Sequence, residues 1–150
     1  MPEIILDYKA SEPSNQTGGG APIALPVGGV QLADLGIFIV PPVPISNRIE
    51  LKGTVGLQAL TGNPVVFIRI FRQVNGMGPD VEIYNDRFTP EIAPAETFYT
   101  TSFHTIDFNV SAATGFIVYK LRGEVLAAPA GTAQVVGPIS FTGLAVGNID

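Results

Sequence analysis

Ile49-Glu50-Leu51-Lys52-Gly53-Thr54-Val55-Gly56-Leu57-Gln58-Ala59 alternates almost perfectly between apolar and polar residues. In an extended chain Ile49, Leu51, Val55, Leu57 and Ala59 fall on one face, and Glu50, Lys52, Thr54 and Gln58 on the other. The stretch therefore reads as a strand with one face on a core and one in water. Thr61-Gly62-Asn63-Pro64 follows, a turn by its chemistry. It delivers Val65-Val66-Phe67-Ile68-Arg69-Ile70-Phe71-Arg72, which is apolar on both faces except for the arginines. Such a strand expects cover on both sides, the second from a loop of the same domain or from another subunit.

Working outward, the same punctuation by Gly, Pro and Asn recurs, and no helical periodicity interrupts it. A turn over residues 73–80 precedes a short strand over 81–84 and a loop holding Pro90 and Pro94. Residues 98–110 and 116–126 read as two long strands. In the second, Ile117, Tyr119, Leu121 and Val125 alternate with Val118, Lys120, Arg122 and Glu124. A last strand over 134–146 places Val135, Ile139, Phe141 and Ala145 on one face and carries Pro138, whose missing N–H demands an edge or a bulge. With residues 30–40 added, roughly seven or eight evenly spaced strands predict an all-β fold, a two-sheet jelly-roll β-sandwich.

The beginning of the chain stands apart. Residues 3–8, EIILDY, form a short apolar stretch separated from the rest by SEPSNQTGGGAP, residues 11–22, a flexible linker by composition. The expected organisation is an N-terminal connector arm and Gly-rich linker over residues 1–22 and a jelly-roll domain over 23–150. A strand that short cannot bury Ile4, Ile5, Leu6 and Tyr8 by itself. It either folds back on its own domain as an edge strand or adds to a sheet edge of a neighbouring copy.

Composition narrows the functional classes. Charged residues are 14% of the 150, hydrophobic residues 46%, and there are 17 glycines and 13 prolines. Mean hydropathy is +0.35. This is a folded, sparsely charged chain. A net charge of -5 opposes a phosphate backbone or an anionic membrane surface, so no nucleic-acid partner is expected. No basic, apolar leader precedes residue 15, and the longest apolar run is broken by Pro41, Pro42 and Pro44, so neither a standard export signal nor membrane insertion is expected. Cysteine is absent, which removes disulfides, thiolate metal sites and thiol nucleophiles together.

Signals for catalysis are sparse, and the expectation is that the chain is not an enzyme. His104 is the single histidine. Ser102 and His104 share a strand face at i and i+2 while Asp107 points to the other, so a Ser-His-Asp relay would need a break in the pleat. Asp80, Glu82 and Asp86 lie close in sequence but match no metal loop, and a cation there is left open, with no metal or cofactor expected. Glu91 and Glu96 on a Pro-flanked loop define no glycosidase pair. Gly18-Gly19-Gly20 lacks the Lys and Ser/Thr of a phosphate loop and reads as linker. Without tryptophan, a sugar-stacking platform would rest on Tyr84, Tyr99 or Tyr119.

The blocks LKGTVGLQAL (51–60), FIRIFR (67–72), TTSFHTIDFNV (100–110), YKLRGEV (119–125) and VVGPISFTGLAV (135–146) resemble small jelly-roll proteins of the spore surface in endospore-forming bacteria. That group includes exosporium proteins, with a fold akin to tumour necrosis factor and complement-type heads, and endospore appendage subunits. The resemblance covers about residues 30–146. It implies a structural, self-assembling subunit whose N-terminal connector, residues 1–9, docks into a preceding copy across the spacer 11–22. Appendage subunits lock that connector with cysteines; here strand addition and burial of Ile4, Ile5 and Leu6 would have to serve instead. The implied setting is the cell or spore surface, the implied partners copies of the chain itself. Assembly inside a mother cell before lysis would suit a surface protein without a signal peptide. The alternative expectation is a glycan-binding or virion/coat decoration jelly-roll module, and a compact trimer is the assembly that competes with the filament.

Overall fold

In the computed structural model the described residues are 2–39, 46–74, 76–90, 98–110, 115–127 and 131–148. They form nine strands: β1 (Glu3–Ser14), β2 (Ile23–Ala24), β3 (Val30–Phe38), β4 (Asn47–Gly62), β5 (Val66–Val74), β6 (Val81–Phe88), β7 (Phe98–Phe108), β8 (Phe116–Val125) and β9 (Gly131–Asn148). Among the described residues no helix is long and apolar enough to cross a membrane. The expected loop acids Glu91 and Glu96 lie outside the described residues, as does Pro94.

All pairings are antiparallel, in two sheets. One has the order β1-β9-β4-β7, with β2 also on β9, and the other β3-β8-β5-β6. From β2 onward the chain is a single long hairpin with β5–β6 at its tip, since β2 meets β9, β3 meets β8 and β4 meets β7. Rolling that hairpin brings β4 onto β9 and β5 onto β8, which closes the two sheets of a jelly-roll sandwich. The alternation that predicted strands also decides which side of each sheet faces in. Ile49, Leu51, Val55 and Leu57 of β4 are buried, as are Ile117, Tyr119 and Leu121 of β8 and Val135, Ile139 and Phe141 of β9.

Two local expectations are sharpened. Pro138 lies in the interior strand β9, where the register with β4 jumps between Val55/Ile139 and Leu57/Val135; the bulge, not an edge, absorbs its missing N–H. Gly137 there has φ +89, and a Cβ on Gly56 opposite would lie 2.0 Å from the Gly137 carbonyl oxygen. Only glycine fits at both positions. In β5 the outward Phe67 and Phe71 lie under guanidinium groups, Arg69 4.3 Å and Arg87 5.9 Å from the Phe67 ring centre and Arg122 5.6 Å from that of Phe71.

The two sheets are also joined by a polar bridge. Asp107 of β7 points inward, accepts from Arg72 Nη1 of β5 at 2.8 and 2.9 Å, and accepts from the Tyr119 hydroxyl of β8 at 2.8 Å. Burial pushes the Tyr119 hydroxyl well above the ordinary tyrosine range, so it stays a donor.

Candidate assembly surface

The N-terminal arm is a strand of 12 residues, longer than expected, and residues 11–14 belong to it rather than to the linker. It lies on the edge of β9, from Glu3 opposite Asn148 to Ser14 opposite Ile139. Without the arm that edge would present unpaired N–H and C=O groups. β2, the strand that begins the hairpin, pairs only with Val135 and Gln134, leaving the β9 edge from Ile139 to Asn148 to the arm.

The arm's own sequence sets how it sits. Between Ile5 and Asp7 the register shifts by a bulge at Leu6. Leu6 packs against the core, while Ile5 and Tyr8 project outward, 71% and 57% exposed; Ile4 is also exposed. Of the four arm residues expected to bind a partner, one is thus engaged with this domain and three are open to solvent. The bulge turns Asp7 toward the opposite sheet, where its carboxylate accepts the Phe38 N–H of β3 at 2.8 Å and the Tyr8 N–H at 2.8 Å. An N–H on the exposed edge of β3 is satisfied by the arm.

A second tie is ionic. Arg48 of β4 donates to both carboxylate oxygens of Glu3, at 2.6 and 3.1 Å, and to Glu50 at 3.3 Å. The Arg48 hydrogen bonds hold the Glu3 carboxyl below its ordinary value of 4.5, and Glu3 in turn raises Arg48. The connection from β1 to β2 runs through Gly18-Gly19-Gly20. Gly18 donates its N–H to the Val136 carbonyl at 2.9 Å, beside the β9 bulge, and the Ser14 hydroxyl bonds the Gln16 carbonyl oxygen at 2.9 Å.

The residues weighed for chemistry are placed apart or occupied. Ser102 and His104 do share the outer face of β7. Ser102 lies 3.2 Å from the Thr54 hydroxyl and His104 3.9 Å from Glu50, whereas Asp107 is on the inner face with Arg72 and Tyr119. The pleat separates Asp107 from the other two. Asp80 pairs with Lys120 at 3.1 Å and Glu82 with Arg69 at 2.5 Å, and Arg69 also bonds Glu124. Among the described residues no group of three acids or histidines is arranged to hold a metal ion. Tyr119 is completely buried, which removes it from any sugar platform; Tyr84 is half-buried, its ring stacked 5.6 Å from Phe103, and burial raises its hydroxyl pKa.

Asp7, Glu3 and Arg48 were not singled out by sequence. Asp7 interrupts an otherwise apolar run, which is the one local sign of a bulge. Nothing local links Glu3 to Arg48, 45 positions away.

Fold and surface together define a jelly-roll domain closed along one edge by its own N-terminal strand. No family model matches the chain, and no curated protein matches it. Among solved structures it is similar to a chain in the structure of the infectious bursal disease virus Gx strain, with TM-score 0.40, 13% identity, and coverage of 97% of this chain and 30% of that one. It is also similar to a chain in the cryo-electron microscopy structure of Mud Crab Dicistrovirus, with TM-score 0.24, 11% identity, and coverage of 99% and 69%. The chain thus spans 30% of the length of the first of these.

Proposed function

We propose that this chain is a structural, non-catalytic subunit that polymerises by lending its N-terminal strand to a neighbour, in a fibre of the bacterial cell or spore surface. The observation that carries the reading is the β9 edge between Ile139 and Asn148, which among the described residues only the arm covers. The arm is joined to the domain through residues 15–22, none of them in a strand. Fully extended, eight residues span about 28 Å, enough to pass to an adjacent molecule.

Exchange keeps the same ladder, the same Asp7 and Glu3 partners and the same Leu6 seat, so its enthalpic cost is small. Ile5 and Tyr8, exposed in the closed form, gain cover when a neighbour packs beside them; complete burial contributes about 1.5–3 kcal/mol per large apolar side chain. Passing each arm forward is a heterologous contact, and repetition of such contacts gives rings or open fibres. The surface setting rests on the resemblance of the strand blocks to spore-surface proteins.

The test is to delete residues 1–9 and compare the product with the full chain by negative-stain electron microscopy. Filaments in the full chain and none in the deletion support the reading. Undiminished filaments, or a fixed trimer of the full chain by sedimentation, overturn it.

A further inference from the structure

Of the four sheet edges, three carry devices that discourage pairing with another chain. β1 has two register breaks and includes Asp7, Lys9, Glu12 and Pro13; β3 has a register break and Asp34; β6 has a register break and Glu82, Asp86 and Arg87. β7 has no register break, and its one acid, Asp107, points inward to Arg72 and Tyr119. Its 11 residues pair with β4 in one unbroken register from Phe98 opposite Gln58 to Phe108 opposite Arg48, and no proline lies within it. Among the described residues β4 is its only strand partner. Its outward side chains are Phe98, Thr100, Ser102, His104, Ile106 and Phe108, with no Lys, Arg, Asp or Glu; Phe98 is 49% and Phe108 64% exposed.

This outward row is self-complementary when reversed. Set antiparallel about a two-fold axis at Phe103, β7 and a second β7 place Phe98 opposite Phe108, Thr100 opposite Ile106 and Ser102 opposite His104, each pair occurring twice. Cross-strand aromatic pairs and aliphatic–Thr pairs are favourable in antiparallel sheets, where directly opposed Cβ atoms lie about 4.5–5.5 Å apart. On the inner face Thr101 meets Thr105, and no pair in the register sets like charges against each other. A slip of one residue would put inward side chains opposite outward ones.

We infer that the β7 edge is an interface for a second copy of this chain, paired antiparallel and two-fold about Phe103, so that one sheet runs through both subunits. Its geometry involves neither β1 nor the β9 edge, so it is independent of arm exchange. An isologous contact of this kind closes on itself, and combined with a head-to-tail contact it would join two strands of a fibre.

The chain has no cysteine, so single cysteines report the register directly. Thr100→Cys and Ile106→Cys proteins are mixed and treated with a short thiol crosslinker. In the inferred register residue 100 of one copy lies opposite residue 106 of the other, whereas 100 and 100 are separated by six residues of strand, about 20 Å. The mixture should yield crosslinked dimer and each variant alone none. In sedimentation, Thr100→Lys with Ile106→Lys should shift the arm-deleted protein from dimer to a monomer lighter than the full 15.8 kDa chain, and Thr100→Lys with Ile106→Glu should restore the dimer. Crosslinking of either variant alone, a monomeric arm-deleted protein before any β7 substitution, or a dimer indifferent to the double lysine overturns the inference. The folded state of each variant is checked by circular dichroism. Loss of filaments on arm deletion with the β7 dimer intact separates the two contacts.

Discussion

Asp107 of β7 accepts the Tyr119 hydroxyl of β8 at 2.8 Å, across the space between the two sheets. The same carboxylate holds Arg72 of β5, so one side chain from one sheet satisfies two from the other. Hydrogen bonds of this kind resist sliding of the sheets in a way that apolar contacts, being non-directional, do not.

Asp107→Ala should therefore cost more than its size suggests. It leaves the buried Tyr119 hydroxyl without its acceptor and Arg72 without its counter-charge, for a loss of about 2–4 kcal/mol. Thermal unfolding should show a fall of roughly 5–15 °C, and Asp107→Asn a smaller one because an acceptor remains. A change within a degree for Asp107→Ala would show that the bridge is not stabilising.

Docking of the arm should depend on pH through Glu3. Its carboxyl titrates below the ordinary glutamate value of 4.5 because Arg48 bonds its ionised form. A depressed value in the folded state means that the contribution is complete above about pH 4.5 and is lost as pH falls through the folded value. Amide exchange protection of residues 3–10, corrected for intrinsic rates, should fall across that window, and Glu3→Gln should remove the part of that fall that the Arg48 pair carries. The pair is exposed, so added salt should weaken it at neutral pH as well.

Leu6 and Ile5 should behave oppositely. Leu6 packs on the core and Ile5 is 71% exposed. Leu6→Ala should lower the stability of the closed chain by about 1–2 kcal/mol in denaturant unfolding. Ile5→Ala should change it by less than about 0.5 kcal/mol. Filament formation should suffer from both.

Gly56 and Gly20 make a matched pair of controls. A Cβ at Gly56 would press on the Gly137 backbone at 2.0 Å, while one at Gly20 meets nothing within 4 Å. Gly56→Ala should abolish or strongly impair folding, since backbone on both strands would have to move. Gly20→Ala should be neutral or stabilising by a few tenths of a kcal/mol. Expression and thermal melts of the two variants distinguish these outcomes.

Much of the fold was legible because strand alternation has a period of two and this chain keeps it. The buried set of β4, β8 and β9 was read from periodicity alone, and so was the separation of Ser102 and His104 from Asp107. Legibility failed where two distant segments meet. Phe67 and Phe71 demanded cover on a second face, but that the cover is arginine depended on Arg87 and Arg122 arriving from β6 and β8. Tyr119 was weighed as an exposed platform although its own alternation placed it inward. The arm's apolar residues were recognised; Asp7, which ties the arm to β3, was not, because its partner is a backbone N–H 31 positions away.

By itself the sequence determined that the chain is all-β, which faces of its long strands are buried, that it holds no cysteine for a disulfide or thiolate and that an apolar segment precedes the domain. Side-chain periodicity and residue chemistry are local, so they survive without coordinates. Tertiary structure alone decided that the arm fills the β9 edge left open by a two-residue β2, that Glu3 and Arg48 pair, and that among the described residues β7 has β4 as its one strand partner. Those features depend on which strands become neighbours when the long hairpin rolls, and that is set by the packing of the whole core rather than by any one stretch of chain.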